Sequence, residues 1–239
     1  MAVDPFGRAL RDHSLGTQEE PLVQRDGDAA IDHPVGANYF GTRDVDRPGD
    51  AWLASWVDGP LLDAGAGVGR DALFFQGRVE TVAIEVSEAL VETMRDRGVD
   101  DARLGDLFDL PSSFPPDRFR SVIAIGTQVG LVGSMAGLGA LLDDLALVTD
   151  SAGTVVFDNL DPTHPSAPDL LGFRPSEAPG LARRSFHFEY AGEVGPTLEL
   201  LLFGPDRLRE AMAGTDWRLA DVLRGPREGP HYLAALTRT

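Results

Sequence analysis

The sequence predicts an α/β protein: a three-layer αβα sandwich whose mostly parallel sheet carries helices on both faces. Three observations predict it. Between residues 60 and 159 short apolar runs alternate with helical stretches of ~10 residues, and strands joined through helices pair in parallel by right-handed crossovers. The first apolar run enters a turn of alternating glycines that opens a helix, Leu61-Leu62-Asp63-Ala64-Gly65-Ala66-Gly67-Val68-Gly69-Arg70. And three runs in succession end on a carboxylate, at Asp63, Glu85 and Asp106.

The elements follow in order. The first 50 residues are polar and rich in Asp, Gly and Arg, with a helix candidate at Pro5–His13 and a turn-rich stretch at Arg25-Asp26-Gly27-Asp28. Asp50 can cap a short helix, Ala51–Val57, which sets Trp52 and Trp56 on one face before Asp58-Gly59-Pro60 stops it. Pro60–Ala64 reads as a buried strand, and the glycine turn leads to a helix ending at Gln76. Val79–Glu85 is the second strand. Ser87–Arg97 is a helix with Leu90 and Met94 on one face, ended by Gly98. Ala102–Gly105 and Arg120–Gly126 are the third and fourth strands. Gly137–Val148 is a helix with Leu138, Leu141, Leu142 and Leu145 at helical spacing, and Thr154–Asn159 is the fifth strand.

The pattern then breaks. Asp161–Ala182 is proline-rich without a clear period, and a loop of that length in a compact domain usually serves function or is disordered. Ser185–Tyr190 alternates strictly, with Phe186, Phe188 and Tyr190 on one face, and pairs naturally with Leu198–Phe203 as an antiparallel hairpin. Pro205–Ala213 is a helix with proline in its first turn, and Trp217–Leu223 and His231–Thr237 are two closing strands. The expected organisation is an N-terminal cap over residues 1–50 and a domain over residues 51–239, with a loop and hairpin insertion at 161–203.

Composition bounds the chemistry. The 239 residues hold 38 acids against 21 basic residues, all of them Arg, for a net charge of −17. Such a surface disfavours nucleic acid and anionic membranes as partners. Missing Lys with abundant Asp also fits a salt-loving host, where the Debye length falls to about 3 Å at 1 M and self-repulsion costs little. Without cysteine there is no disulfide and no thiol nucleophile, and the five scattered histidines lack metal-ligand spacing, so no metal site is expected. No apolar window reaches the ~18 residues of a membrane span, and the N-terminus lacks a signal-peptide pattern, so a cytoplasmic protein is expected.

The glycine turn carries the most information. Its glycines permit positive φ and close backbone approach to a ligand. The dinucleotide fingerprint G-x-G-x-x-G fails, because Arg70 stands at its third glycine. Asp63 further places an anion where a pyrophosphate would lie, which suits a ligand bearing an ammonium or sulfonium. Glu85, 20 residues after Gly65, ends the neighbouring strand, where an acid can accept from both hydroxyls of a ribose. Asp106 could accept from an exocyclic adenine amine.

Asp63 to Gly69, Glu85 and Asp106 together resemble the S-adenosylmethionine site of the class I methyltransferases, and the likeness covers about Pro60 to Thr239. The resemblance implies a seven-stranded sheet in the order 3-2-1-4-5-7-6, with the last strand antiparallel. It also implies S-adenosyl-L-methionine as cofactor. The implied binding set is Asp63, Ala64, Gly65, Ala66 and Gly67 at the methionine part, Glu85 and Val86 at the ribose, Asp106 and Leu107 at the adenine, and Gly126 and Thr127 beneath the sulfonium with Gln128. The N-terminal part, with Arg25 and Asn38-Tyr39-Phe40, is similar to the cap of small-molecule methyltransferases. Enzymes of this fold that methylate adenine or glutamine nitrogens carry an Asn/Asp-Pro-Pro-aromatic motif after the fourth strand. Gly126-Thr127-Gln128-Val129-Gly130 stands there instead, which disfavours that class.

Methyl transfer from a sulfonium is an in-line displacement on an activated donor, so the protein supplies chiefly alignment and water exclusion. A general base is needed only if the acceptor must lose a proton. Candidates near the ends of strands four and five are Gln128, Asp158, Asn159 and Asp161, with His164 in the long loop. Arg25, Tyr39 and Gln128 are candidate substrate contacts. The expected reaction is methylation of a small-molecule acceptor. The alternatives are an NAD-dependent oxidoreductase, which Asp63 and Arg70 oppose, and a non-catalytic S-adenosylmethionine-binding or interaction protein. A homodimer formed through the exposed edge of the Ser185–Phe203 hairpin is a further expectation.

Overall fold

The computed structural model describes residues 3–225 and 229–239. The chain opens with α1 (Pro5–Leu15), whose first turn is capped by the Asp4 carboxylate accepting from the Gly7 N–H. It continues through β1 (Leu22–Asp26), β2 (Ala29–His33), α2 (Val35–Tyr39) and α3 (Pro48–Ala54). There follow β3 (Leu61–Ala64), α4 (Arg70–Phe75), β4 (Thr81–Glu85), α5 (Glu88–Asp96), β5 (Ala102–Leu104) and α6 (Leu110–Ser113). Next come β6 (Phe119–Ala124), α7 (Met135–Val148) and β7 (Thr149–Leu160). The inserted segment holds β8 (Phe173–Pro175), β9 (Leu181–Tyr190), β10 (Glu193–Val194) and β11 (Leu198–Phe203). The last elements are α8 (Pro205–Ala211), β12 (Trp217–Arg224) and β13 (His231–Arg238).

Seven strands form the central sheet in the order β12-β13-β7-β6-β3-β4-β5. β3 to β7 are mutually parallel, while β13 runs antiparallel to both β7 and β12. The inner parallel strands are apolar on both sides because each feeds two cores. Leu62, Val122 and Val155 pack with Leu138, Leu141, Leu142 and Leu145 of α7. Their chain neighbours Leu61, Ile123 and Val156 point the other way, onto Leu53 of α3 and Phe75 of α4. α5 covers the same face farther along, through Val91 and Met94.

A second, six-stranded sheet lies over the carboxyl edge of the first, and two distant parts of the chain build it. β9 pairs with β1 of the N-terminal hairpin on one side and with β10 on the other, while its first half pairs with β8 and β11. α1 joins this sheet to the central domain: Leu10 is buried with Leu90 of α5 and Tyr190 of β9, and the Ser87 hydroxyl donates to Asp4.

Several boundaries differ from the sequence reading. The stretch Arg25-Asp26-Gly27-Asp28 is the tip of a hairpin, since β1 and β2 flank it; the strands are too short and polar to show a period and owe their form to pairing with β9. α3 begins at Pro48 instead of after Asp50. Asp50 lies in its first turn and accepts from Arg43 and from the Asp44 N–H rather than capping the helix. The stretch 161–182 is no structureless loop: it holds a 3₁₀ turn at Ala167–Asp169 and β8, and β9 starts at Leu181. The 3₁₀ turns at Leu107–Asp109 and Gln128–Val132 and the short α6 carry no sequence period. The hairpin β9–β11 offers no free edge through β9, which is paired on both sides over most of its length. Among the described residues β2 pairs with β1 alone, and β8, β10 and β11 each pair with β9 alone, so the hairpin keeps an edge through β11.

Gly172 marks how closely the insertion is packed. Its φ is +78°, and a Cβ placed there would lie 2.0 Å from the Ser185 carbonyl oxygen in β9. Gly172→Ala is expected to destabilise the protein by more than about 1 kcal/mol, read as a lower denaturation midpoint at unchanged slope.

Candidate functional site

A cavity of about 1050 Å³ opens between the carboxyl edge of the central sheet and the inward face of the second. This lies at the upper end of the ~300–1,000 Å³ typical of small-ligand sites. Carboxyl strand ends are where α/β sheets bind ligands, because adjacent crossovers diverge there and leave a crevice.

The floor is built from strand ends. Asp63 is 2% exposed, and its Oδ2 has no hydrogen-bond partner. Burial and the neighbouring Asp71 anion push its carboxyl well above the ordinary range. Ala64 is the buried last residue of β3, and Gly65 follows at φ +73°. A Cβ on Gly65 would lie 2.8 Å from Cγ of Gln128, so only glycine lets the turn pass under that side chain. Ala66 and Gly67 continue along the wall. Glu85 closes β4: Oε1 accepts from the Gly67 N–H at 2.9 Å and Oε2 from the Val86 N–H at 2.9 Å. Burial raises its pKa to about 7 against those bonds. Val86 stands exposed on the same wall, as does Leu104 at the end of β5.

Gly126 and Thr127 leave β6 with φ values of 114° and 61°, the latter unusual for a residue with a Cβ. Asp158, fully buried on β7, holds this turn, since its Oδ1 accepts from both N–H groups at 2.8 and 2.6 Å. Its Oδ2 lies 2.6 Å from His231 Nε2 at the start of β13. His231 is part of the cavity wall, and its Nδ1 is buried without a partner. A carboxylate that accepts at this contact assigns the donor role to His231 Nε2.

The other candidates fall differently. Asp106 lies off the cavity wall: its Oδ1 caps the following 3₁₀ turn by accepting from the Phe108 N–H at 2.8 Å, and Leu107 is buried in the core. Asn159 is a fastener between sheets, donating to the Leu201 carbonyl and accepting from the Leu160 N–H. Asp161 accepts from Thr163 and Arg224; burial works to raise its pKa, but these bonds hold it below the ordinary value. His164 bonds Ser166 within its own turn, away from the cavity. Arg25 faces outward and pairs with Glu189 at 2.9 Å, whereas its chain neighbour Gln24 faces the cavity. Tyr39 does line it, with its hydroxyl 2.7 Å from His33 Nε2, and Gln128 lines it over the glycine turn.

Four contributors escaped the sequence reading. Arg43 grips Asp71 and Asp50 behind Asp63; although burial raises an acid, the Arg43 guanidinium holds Asp71 below its ordinary pKa. His33 is pushed down to about 4 by burial and then by Arg184. His231 opens its strand with no motif around it. Arg184 had a readable signal: in the alternation of β9 it shares parity with Phe186, Phe188 and Tyr190, the inward face. Among the described residues, no group of three or more His, Asp or Glu side chains is placed to hold a metal ion, and no helix is long and apolar enough to cross a membrane.

No known family profile matches the sequence, and no curated protein matches it. Solved structures do. An S-adenosylmethionine-dependent methyltransferase from Bacteroides fragilis, in complex with S-adenosyl-L-homocysteine, superposes with a TM-score of 0.79 over 99% of this chain and 95% of its own, at 23% identity. The CcbJ methyltransferase of Streptomyces caelestis gives 0.61 over 84% and 92%, at 15% identity. An amino pentose methyltransferase from Micromonospora echinaspora, involved in calicheamicin biosynthesis and bound to its cofactor, gives 0.53 over 75% and 83%, at 20% identity. The chain therefore has the fold of the class I methyltransferases. At these identities the likeness is one of fold, and the chemistry has to be argued from the cavity.

Proposed function

We propose that this protein is an S-adenosylmethionine-dependent methyltransferase acting on a small molecule enclosed between its two sheets. The observation that carries the reading is the pair of buried carboxylates at adjacent strand ends, Asp63 with an unpartnered oxygen and Glu85 beside the glycine turn. An unpaired buried carboxylate is costly, and a ligand ammonium would supply its missing donor. Glu85 keeps lone pairs beyond its two backbone bonds and can accept from ribose hydroxyls. Val86 and Leu104 offer apolar surface to a planar base, which takes over the place expected of Asp106 and Leu107.

The cofactor, when bound, supplies an activated methyl group. The residues of the chain then have three tasks. Gly126, Thr127 and Gln128 set the distance between the floor and an acceptor, and Asp158 keeps their turn rigid. The second sheet and the N-terminal segment act together as a cap that excludes water. For an acceptor that loses a proton, His231 joins Gln128, Asp158, Asn159 and His164 as a candidate to receive it, because it lines the cavity wall beside Asp158. The acid-rich, lysine-free surface is read as adaptation to concentrated salt. Asp63 and Arg70 speak against an NAD-dependent oxidoreductase, as they do in the sequence.

Calorimetry in molar KCl tests the reading. S-adenosylhomocysteine is expected to bind, with affinity rising between pH 6 and 8 as Glu85, at about 7, ionises. Glu85→Gln should weaken binding roughly 10- to 150-fold, as for loss of hydrogen bonds to a charged group, and flatten the pH profile. Binding of NADH in its place would sink the proposal. Binding of S-adenosylhomocysteine without acceptor-dependent turnover on any metabolite would favour a non-catalytic binding protein.

A further inference from the structure

The cavity is electrically two-sided. Its floor carries Asp63 and Glu85, whereas its roof carries the guanidinium of Arg184. Three arginines line the cavity, and two have carboxylate partners: Arg8 pairs with Asp12 and Glu193, and Arg70 with Asp71. Among the described residues no carboxylate lies within ion-pair distance of Arg184, although the protein carries a net charge of −17. The cation is half-buried on the inward face of β9, stacked 4.4 Å over the Phe186 ring.

Its hydrogen bonds fix its direction. Nε donates to the Leu171 carbonyl at 2.8 Å and Nη2 to Gln24 Oε1 at 2.9 Å. A guanidinium has five N–H donors. The two described bonds thus leave both N–H groups of Nη1 and one of Nη2, the end that can grip a carboxylate with two parallel bonds. The apolar side chains Leu160, Leu170, Phe186, Phe188 and Leu200 line the cavity with Arg184, and Tyr39 and His33 are polar neighbours that interact with it electrostatically. Burial lowers the pKa of Arg184, a cost that a bound anion would offset.

We infer that Arg184 is the anchor for the methyl acceptor, and that the acceptor is a small, largely apolar carboxylic acid held by its carboxylate against the second sheet. The inference rests on the proposed methyl-transfer reading and names the substrate class of that same cavity. A cation on the roof and acids on the floor would also orient the two ligands: the positively charged cofactor goes to the floor and the anionic acceptor to the roof, so neither occupies the other's place.

The test uses the full chain saturated with S-adenosylhomocysteine, titrated calorimetrically with phenylacetate, benzoate and hexanoate and with their neutral amides. At least one acid is expected to bind about ten-fold or more tightly than its amide. Arg184→Gln should abolish that preference, Arg184→Lys should keep part of it, and both should leave S-adenosylhomocysteine affinity unchanged. The acid–amide comparison in the wild-type protein needs no variant, so a misfolded Arg184→Gln would not shelter the inference. Amides binding as tightly as acids, no acid binding at all, or an acid preference surviving in a folded Arg184→Gln would each overturn it. So would a loss of S-adenosylhomocysteine affinity in folded Arg184→Gln, which would give the guanidinium to the cofactor's own carboxylate. Failure of the wild-type protein to bind S-adenosylhomocysteine would instead reject the methyl-transfer reading beneath it.

Discussion

Asp63→Asn is expected to lose S-adenosylhomocysteine binding by roughly 10- to 150-fold or more, while the unliganded protein becomes more stable at neutral pH. Both effects have one cause. Asp63 is buried beside the Asp71 anion, and its carboxyl is held well above the usual range. For an acid whose folded pKa is raised, ionisation is easier in the unfolded chain. Stability therefore falls as pH climbs from the unfolded pKa, about 4, toward the folded one. Asn keeps the shape without the charge and removes that loss. For a chain of this size each kcal/mol gained raises the melting temperature by about 2–4 °C, so a rise of several degrees at pH 8 and little change near pH 4 is the expected scan. The ligand ammonium reverses the balance by favouring the carboxylate, so binding to the wild-type protein should release a proton and show a buffer-dependent heat. Unimpaired binding by Asp63→Asn would remove the main support for the proposed function.

Arg43→Met is expected to produce the largest loss of stability, about 3–5 kcal/mol, because it strands a buried charge. Asp71 has 7% and Asp50 12% of its side chain exposed, and Arg43 bonds to both. The pair stands immediately behind the glycine turn, so its loss reaches the site as well: without Arg43, repulsion from Asp71 onto Asp63 goes less opposed. The pH dependence has the opposite sign to that of Asp63. Although burial alone would raise it, Asp71 sits below its ordinary pKa under the influence of Arg43. Its contribution is thus complete above the unfolded value near 4 and disappears as pH falls through the folded value. Acid denaturation of the wild-type protein should accordingly steepen below pH 4, and this acid limb should weaken in Arg43→Met. A melting temperature within a degree or two of wild type would show that the triad is solvated rather than buried.

The legible parts of the sequence were those whose signal is local. The helix Ser87–Arg97 carries its own cap in Ser87, which accepts from the Leu90 N–H, and an apolar face read from spacing alone. The alternation of Phe186, Phe188 and Tyr190 pointed correctly to a strand with one buried face. Asp63, the glycine turn and Glu85 were readable because a strand end, a tight turn and the next strand end lie within 23 residues, Asp63 to Glu85. The bond Asp106 makes has a local cause: a short Asp can cap the turn that follows it, and nothing in its spacing distinguishes that from facing a ligand. Asp158 and Asn159, singled out as acceptor-side groups, bond to the backbone of neighbouring segments, and Asp158 also to the His231 ring.

What the sequence determined by itself is the succession of strands and helices in the central sheet and the acidic strand ends that face its carboxyl edge. Periodicity and chain order are enough for these, because the inner parallel strands are buried on both faces and each crossover is short. Only the tertiary structure decided the roof of the cavity. It joins β1 to β9, brings His231 to Asp158 across 73 positions, and turns Arg184 toward Gln24 across 160. Such partners meet through loop closures whose entropy cost grows only slowly with separation. No local pattern records them, and they supply the face on which the acceptor is proposed to lie.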